Sequence, residues 1–497
     1  MNTAMRRLRP LMLGGTGSDV GKSMLAAGLC RIFRQDGYAP APFKAQNMAL
    51  NSYATPEGFE IGRAQAVQAE AAGIDCHTDM NPLLLKPQGD STCQIVVDGV
   101  AAGTYSSARL YDSEVRAELR GGVCKAFDRL SSRYNPIVME GAGSVAEINL
   151  RESDIVNMPM AAYADAAVLL VADIDRGGVF ASAYGSVMLQ PPEYRRLIKG
   201  IIVNKFRGDM RLFDSGRRML EECCGVPVVG VVPYMADIHI EDEDSVVLGG
   251  KRVAPMPGAV NVAVVRLPHI SNFTDFNVLE HTPGVNVYYT AEAGALVGAD
   301  MIVIPGTKTT ISDLRWLKAT GMDEAITGLA ADGLPVVGIC GGYQMMGRVI
   351  DDPEGYEGET DCVEGLGLLP VTTVISADKQ TRRIAFEMTT DAGACIVGNG
   401  YEIHMGRTRL DQDAIALSML SDGTADGCRN GNCYGTYIHG FLDKSEVIAW
   451  LLPRLSGCVA DYGAYRQRQY DTLAARLREC LDMNMIYRMI SYDRGTR

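Results

Sequence analysis

Two glycine-rich turns in this chain hold residue types that can do chemistry. The first is Gly14-Gly15-Thr16-Gly17-Ser18-Asp19-Val20-Gly21-Lys22-Ser23, with a short apolar run before it and a helix-forming run after it. Consecutive backbone N–H groups at such a strand-to-helix turn cradle phosphate oxygens. A lysine there reaches the β/γ-phosphates, and a serine hydroxyl holds Mg2+. The pattern predicts ATP binding by Thr16, Gly17, Gly21, Lys22 and Ser23, with Ser23 also a metal ligand. The loop is one residue longer than the common phosphate loop, and Thr16 stands where its first glycine would be.

The second turn is Gly338-Ile339-Cys340-Gly341-Gly342-Tyr343-Gln344, at the end of the apolar run Val336–Ile339. A strand-to-helix turn of this kind holds a thiol exposed at the strand tip, activated as a nucleophile by the helix start. The glycines let a substrate approach closely. Amide N–H groups at Gly341 and around Pro305-Gly306-Thr307 are placed to stabilise an oxyanion. The thiol needs a base. His439, in Tyr437-Ile438-His439-Gly440, is the first candidate, and His404, in Tyr401-Glu402-Ile403-His404, is its rival. His77, His239, His269 and His281 read as structural or exposed histidines.

Other strand ends add to the nucleotide site. Ile137-Val138-Met139-Glu140-Gly141 puts a carboxylate at a strand's C-terminal edge, suited to Mg2+. In Val203-Asn204-Lys205, the Asn204 amide can both donate to and accept from an adenine edge. Asp173, Asp175 and Arg176 end another strand, where ion pairing and a metal or substrate role stay equally open. Lys44, after the second predicted strand, is a candidate for contacting a substrate carboxylate or transferring phosphate. An ordinary surface lysine is the alternative.

Positioning these residues takes a particular fold. Leu11–Leu13, Ile137–Met139, Ala167–Val171, Gly200–Val203 and Val226–Val232 read as strands. Ser23–Gln35, Ile61–Ala72, Ser113–Ser131 and Met210–Cys223 between them read as helices. This alternation predicts an α/β domain with a mostly parallel, doubly wound sheet. It breaks at 237–258, where the acidic run Glu241-Asp242-Glu243-Asp244 and the prolines and glycines after it read as a linker. It then restarts with strands at Val262–Val265, Val285–Tyr289, Met301–Ile304 and Val336–Ile339, and helices at Ser312–Leu317 and Gln344–Val349. A β-rich continuation follows in Gly365–Thr373, Thr381–Thr389 and Cys433–Ile438. Two such domains are expected: 1–250 as an ATP-dependent synthetase domain, and 259–497 carrying the thiol.

A chain of 497 residues has ample length for two cores. Its formal charge of −13 lacks the basic footprint that nucleic acid or an anionic membrane requires, so neither is expected as a partner. No apolar run has the length of a membrane helix, and the short apolar stretch at Leu11–Leu13 is too brief for a signal peptide. The 13 cysteines are odd in number and scattered, which fits reduced thiols and a cytoplasmic location.

With these residues in view, a resemblance is plain. Gly338-Ile-Cys340-Gly-Gly-Tyr-Gln with Tyr437-Ile438-His439-Gly440 resembles a class I, triad-type glutamine amidotransferase domain. That family places a Glu two residues after the His, where this chain has Phe441. The departure suggests a Cys–His dyad, with Glu402 as a substitute carboxylate. The phosphate loop is similar to that of dethiobiotin synthetase. Lys44-Ala-Gln-Asn47-Met-Ala-Leu-Asn51-Ser, Asp173-Ile-Asp-Arg-Gly-Gly-Val-Phe-Ala181, Ile270-Ser-Asn-Phe-Thr-Asp-Phe276 and Tyr401-Glu-Ile-His404-Met-Gly406 resemble the cobyric acid synthases. That resemblance implies ATP- and glutamine-dependent amidation of the peripheral b, d, e and g carboxylates of adenosylcobyrinic acid a,c-diamide. It also implies Lys44 and Asn47 as substrate residues, ATP and Mg2+ as requirements, and a corrinoid as substrate with no tightly bound organic cofactor.

The two domains make chemical sense together. Phosphorylation turns a carboxylate oxygen into a leaving group, and ammonia released from glutamine by Cys340 and His439 then attacks the acyl phosphate. Shielded passage of ammonia between the sites is expected, since free ammonia is mostly protonated at neutral pH. The alternatives are a related two-domain amidotransferase acting on fewer corrin carboxylates or a cell-wall precursor, a phosphate-loop switch ATPase, and a stand-alone glutaminase. The Cys340 turn opposes the switch, as does the lack of a lysine between residues 14 and 21. The phosphate loop opposes the glutaminase.

Overall fold

The computed structural model describes residues 7–492 apart from 88–91, 111, 242–248, 358–359, 456, 458 and 460. Most of the acidic run of the expected linker, from Asp242 on, lies outside the described residues. The chain packs as two compact α/β units. One comprises the residues up to Ala49, Ile61–Ile240 and those from Arg466 onward; the other comprises Leu50–Glu60 and Glu241–Tyr465. The break at Ile240 falls within the expected 237–258 linker, but the units are interleaved in sequence and do not follow the 1–250 and 259–497 division.

Among the described residues of the first unit, six strands form its main sheet. These are β1 (Leu11–Gly15), β2 (Ala41–Phe43), β3 (Ile137–Glu140), β4 (Ala167–Asp173), β5 (Ile198–Phe206) and β6 (Val228–Pro233). Their order is β6-β5-β4-β1-β3-β2, with every pairing parallel. Strands β1 and β4 are buried along their whole length, as the near-continuous apolar runs of a sheet covered on both faces require. Helix α1 (Lys22–Gln35) follows β1 and buries Leu25, Leu29, Ile32 and Phe33. Helix α2 spans Arg63–Ala72, and the predicted start at Ile61 instead lies within a short strand, Glu60–Gly62.

The last part of the chain completes this unit. From Arg466 onward, two helices ending at Cys480 and Ile490 lie against α1. Arg31 Nε sits 2.8 Å from Asp471 Oδ1, and Arg478 Nη2 sits 2.6 Å from Asp36 Oδ1. Leu473 and Leu477 are fully buried over Gly28, where an added Cβ would stand 2.3 Å from Leu477 Cδ1. Gly28 thus lets the helices meet closely.

The second unit repeats the architecture with β7 (Val260–Val265), β8 (Val285–Thr290), β9 (Met301–Ile304), β10 (Val336–Ile339), β11 (Cys428–Asn430) and β12 (Cys433–Thr436). Their order is β8-β7-β9-β10-β12-β11, parallel except for the antiparallel edge pair β11–β12. The expected helix at Gln344–Val349 is α3 (Gly341–Met346), and Val349 already opens the strand Val349–Asp352. The β-branched Val349 and Ile350 suit that strand better than a helix. A long hairpin, Gln380–Thr389 with Cys395–His404, forms the β-rich continuation. The Leu50–Glu60 segment packs beside it: Arg383 Nε donates to Ala54 O at 3.0 Å, and the rings of Tyr53 and Tyr401 meet edge to face. No helix among the described residues is long and apolar enough to cross a membrane.

Candidate functional site

In the first unit the loop between β1 and α1 is shaped by a positive φ at Gly21 (95°). An added Cβ there would lie 2.2 Å from Asn204 Nδ2, so only glycine fits. Lys22 is buried under the turn, and its Nζ donates to Gly17 O at 2.9 Å and to Gly143 O at 3.0 Å. Thr16 is bridged to Ser144 and donates its N–H to Val171 O at 3.0 Å. The loop is therefore held open as a ring of backbone groups around the lysine.

Ser23 and Glu140 come together as the sequence predicts, Ser23 Oγ donating to Glu140 Oε1 at 2.8 Å. Lys44 proves buried rather than superficial, with Nζ 3.0 Å from the same oxygen. Gln68 of α2, which sequence reasoning missed, donates to Glu140 Oε2 at 2.7 Å. Burial alone would raise the Glu140 carboxyl. The Lys44 charge and the hydrogen bonds from Gln68, Lys44 and Ser23 win, and hold it below the usual carboxylate range. Asn47 donates to Gln65 Oε1 at 3.1 Å within the same buried polar cluster.

Asn204, expected at the nucleotide, lies under the phosphate loop with its Oδ1 unpartnered. It is fully buried, and the amide nitrogen offered to adenine donates instead to Val20 O at 2.8 Å, bracing the loop from beneath. The strand-end acids are ion-paired: Asp173 with Lys205 at 3.0 Å, and Asp175 with Arg207 at 2.7 Å.

In the second unit Cys340 stands between β10 and α3 with φ 53°, a strained conformation characteristic of a nucleophile on a sharp turn, though the residue is buried rather than exposed as the sequence suggested. Its thiol points to Ile403 O at 3.5 Å, and its N–H is held by Thr436 O at 2.8 Å. The turn needs its glycines, since an added Cβ at Gly342 would fall 1.9 Å from Ile304 O. Gly341 and Gly306 both reach this place. A Cβ at Gly341 would lie 3.1 Å from Thr307 N, and one at Gly306 would lie 3.5 Å from His439 Cε1.

His439 is fully buried, and the Cys340 thiol is among the groups that raise its imidazole. Its Nδ1 lies 2.7 Å from Asp275 Oδ2, and the same carboxylate accepts from Gly440 N at 3.1 Å. Its Nε2 lies 3.2 Å from Asn272 Nδ2. Burial alone would push the imidazole down. The charge and hydrogen bond of Asp275, with the Cys340 thiol, lift it to about 10. An imidazole lifted this far carries its proton at neutral pH.

Asp275 is thus the orienting carboxylate that the sequence reading placed at Glu402 or left out. Glu402 is paired with Arg382 Nε at 2.5 Å. Phe441, where a Glu was looked for, is a core residue packed on Phe386. The sole sequence signal for Asp275 was its place in Ile270–Phe276. His404 is engaged otherwise: its Nδ1 lies 3.1 Å from Gly406 O, its ring stacks on Tyr437 at 3.7 Å, and burial pushes it down to about 3.

Comparison with known proteins finds relatives of both halves of the chain. A family described as "CobQ/CobB/MinD/ParA nucleotide binding domain" matches residues 11–246, and one described as "CobB/CobQ-like glutamine amidotransferase domain" matches residues 261–447. The cobyric acid synthase of Phocaeicola vulgatus is 56% identical over 98% of this chain and 99% of its own. That of Bacteroides fragilis is 57% identical over 98% and 99%, and that of Syntrophobacter fumaroxidans is 47% identical over 97% and 99%. A solved glutamine amidotransferase covers 42% of this chain and 98% of its own at 19% identity, with a TM-score of 0.30. Likeness of this extent, over nearly the whole chain, shows that the chain belongs to the cobyric acid synthase family of glutamine-dependent carbon–nitrogen ligases.

Proposed function

We propose that this enzyme amidates the b, d, e and g carboxylates of adenosylcobyrinic acid a,c-diamide, consuming ATP and glutamine and yielding adenosylcobyric acid for cobalamin biosynthesis. The observation that carries the reading is near-full-length identity to cobyric acid synthases, joined to two complementary sites in one chain. Thr16, Gly17, Gly21, Lys22 and Ser23 hold the phosphates of ATP. Ser23 and Glu140 are the oxygen donors that would hold Mg2+, whose charge eases attack on the γ-phosphate. Lys44, already poised on Glu140, steadies the substrate carboxylate as its oxygen attacks that phosphate, leaving ADP and an acyl phosphate. Asn47, beside Gln65, is a second residue for the substrate.

In the second unit Cys340 passes its proton to His439 Nε2, and its sulfur attacks the amide carbon of glutamine. Backbone N–H groups at Gly341 and Gly306 receive the developing oxyanion. His439, steadied by Asp275, returns the proton to the departing nitrogen, and water then clears the thioester to glutamate. Ammonia displaces phosphate from the acyl phosphate and forms the amide. The test is to incubate the purified enzyme with the a,c-diamide, MgATP and glutamine and to follow products by mass spectrometry. Stepwise conversion of the remaining peripheral carboxylates to amides, with matching ADP and glutamate, is expected. ATP hydrolysis and glutamine hydrolysis without corrinoid amidation would overturn the reading.

A further inference from the structure

The substrate carboxylate must reach the γ-phosphate, so its seat has to share a wall with the phosphate loop. A cavity of about 460 Å³ in the first unit does so. Thr16, Gly17 and Ser18 form one wall, and the chain between Ala142 and Pro159 forms another. Gln46 and Arg116 close it further. It lies on the β3–β2 side of the loop-bearing strand β1, whereas the strand ends with Asp173 and Asn204 lie on the β4–β5 side.

The walls are braced by their own hydrogen bonds. Val145 N donates to Gly15 O at 2.9 Å, and Gln190 Nε2 donates to Val145 O at 2.7 Å. Asn157 clasps Ala142 both ways, at 3.1 and 2.9 Å. Such a cavity is formed before its ligand arrives. Its lining is mixed. Leu150, Ile155, Val156 and Met158 supply apolar surface; the charged residues are Arg116, Arg151, Glu147 and Asp154. Asp154 is engaged in accepting the Val156 and Asn157 N–H groups. Arg116 Nη1 is aimed by Gln46 Oε1 at 3.1 Å, and Arg151 Nη2 is tethered to Leu189 O at 2.8 Å. No carboxylate among the described residues pairs with Arg151.

We infer that this cavity seats one edge of the corrinoid, with Arg116 and Arg151 binding peripheral carboxylates other than the one being phosphorylated; the inference rests on the function proposed above. Two guanidiniums beside apolar surface suit an amphipathic polycarboxylate better than a small polar acid. The cavity is too small to enclose the macrocycle whole. Only one edge enters at a time, so successive amidations require the ring to leave or turn and present another edge.

The test is steady-state kinetics of the full-length enzyme and of Arg116→Ala, Arg151→Ala and the matching Arg→Lys variants, with glutamine saturating. Each alanine variant should raise KM for the a,c-diamide roughly tenfold, with partial recovery by lysine. The KM for ATP should stay within about twofold. An unchanged corrinoid KM, or an ATP KM that rises in parallel, overturns the seat. If the wild-type enzyme does not amidate the corrinoid at all, the proposed function falls and the seat falls with it.

Discussion

His439 Nδ1 and Asp275 Oδ2 lie 2.7 Å apart across 164 positions of chain. The carboxylate enters from a 3₁₀ turn, Phe273–Phe276, on the far side of the unit's sequence from the histidine. Asp275→Asn keeps the shape but removes the charge that fixes the imidazole. Glutamine-dependent amidation should fall roughly 10²–10⁴-fold, while amidation supported by ammonium salts stays near wild type. Equal loss with both nitrogen sources would make Asp275 a folding residue.

Glu402→Gln is the informative contrast. It weakens the pair with Arg382, and costs roughly 1–3 kcal/mol of stability. Because Glu402 does not touch His439, kcat for glutamine hydrolysis should change less than about threefold. A loss as deep as that of Asp275→Asn would restore Glu402 to the orienting role.

The imidazole of His439, lifted to about 10 against 6.5 for an ordinary histidine, makes a pH signature. Its proton is held more tightly in the folded chain. That contribution is fully present below about pH 6.5 and fades as pH rises toward about 10. Wild type should therefore exceed Asp275→Asn in denaturant resistance by a margin that is flat in acid and narrows at alkaline pH. Denaturant midpoints at stepped pH measure it, and a margin that widens with pH contradicts the assignment.

The nitrogen sources separate the two sites. Cys340→Ala should lose glutamine-dependent amidation and keep the ammonium-dependent reaction, whereas Lys22→Ala should lose both. Isotopically labelled amide product reads the difference directly. Loss of both reactions in Cys340→Ala would give the thiol a structural role.

What the sequence could show was whatever depends on neighbours along the chain. The apolar runs of β1, β4 and β7 and the turns at Gly21-Lys22-Ser23 and Gly338–Gly342 have local patterns, and both turns formed where read. Asp275 and Gln68 act across elements far apart in sequence, so no spacing rule points to them. Asn204 was read by residue type, and its hydrogen bond to the Val20 carbonyl under the loop lies across 184 positions where no spacing shows it. Lys44 gave no sign of burial, because its partner Glu140 lies on another strand. The interleaving was hidden as well: an amphipathic helix at the end of a chain does not declare which core it covers.

That last covering can be probed. Leu477→Ala empties space over Gly28 and should cost about 2–5 kcal/mol in the first unit. Heat-induced loss of ATP-dependent activity should come earlier, with glutaminase activity surviving to a higher temperature. Simultaneous loss of both would mean the units melt together.

The contact between α1 and the final helices also sets an order of events during synthesis. Domains generally fold as they emerge from the ribosome, N-terminal first. Here the helix that follows the phosphate loop waits for Leu473 and Leu477, which leave the ribosome after nearly all the rest. The ATP-handling unit is begun before the second unit and completed only after it. A nascent chain stopped at the boundary of the second unit would carry a bare apolar stripe along α1.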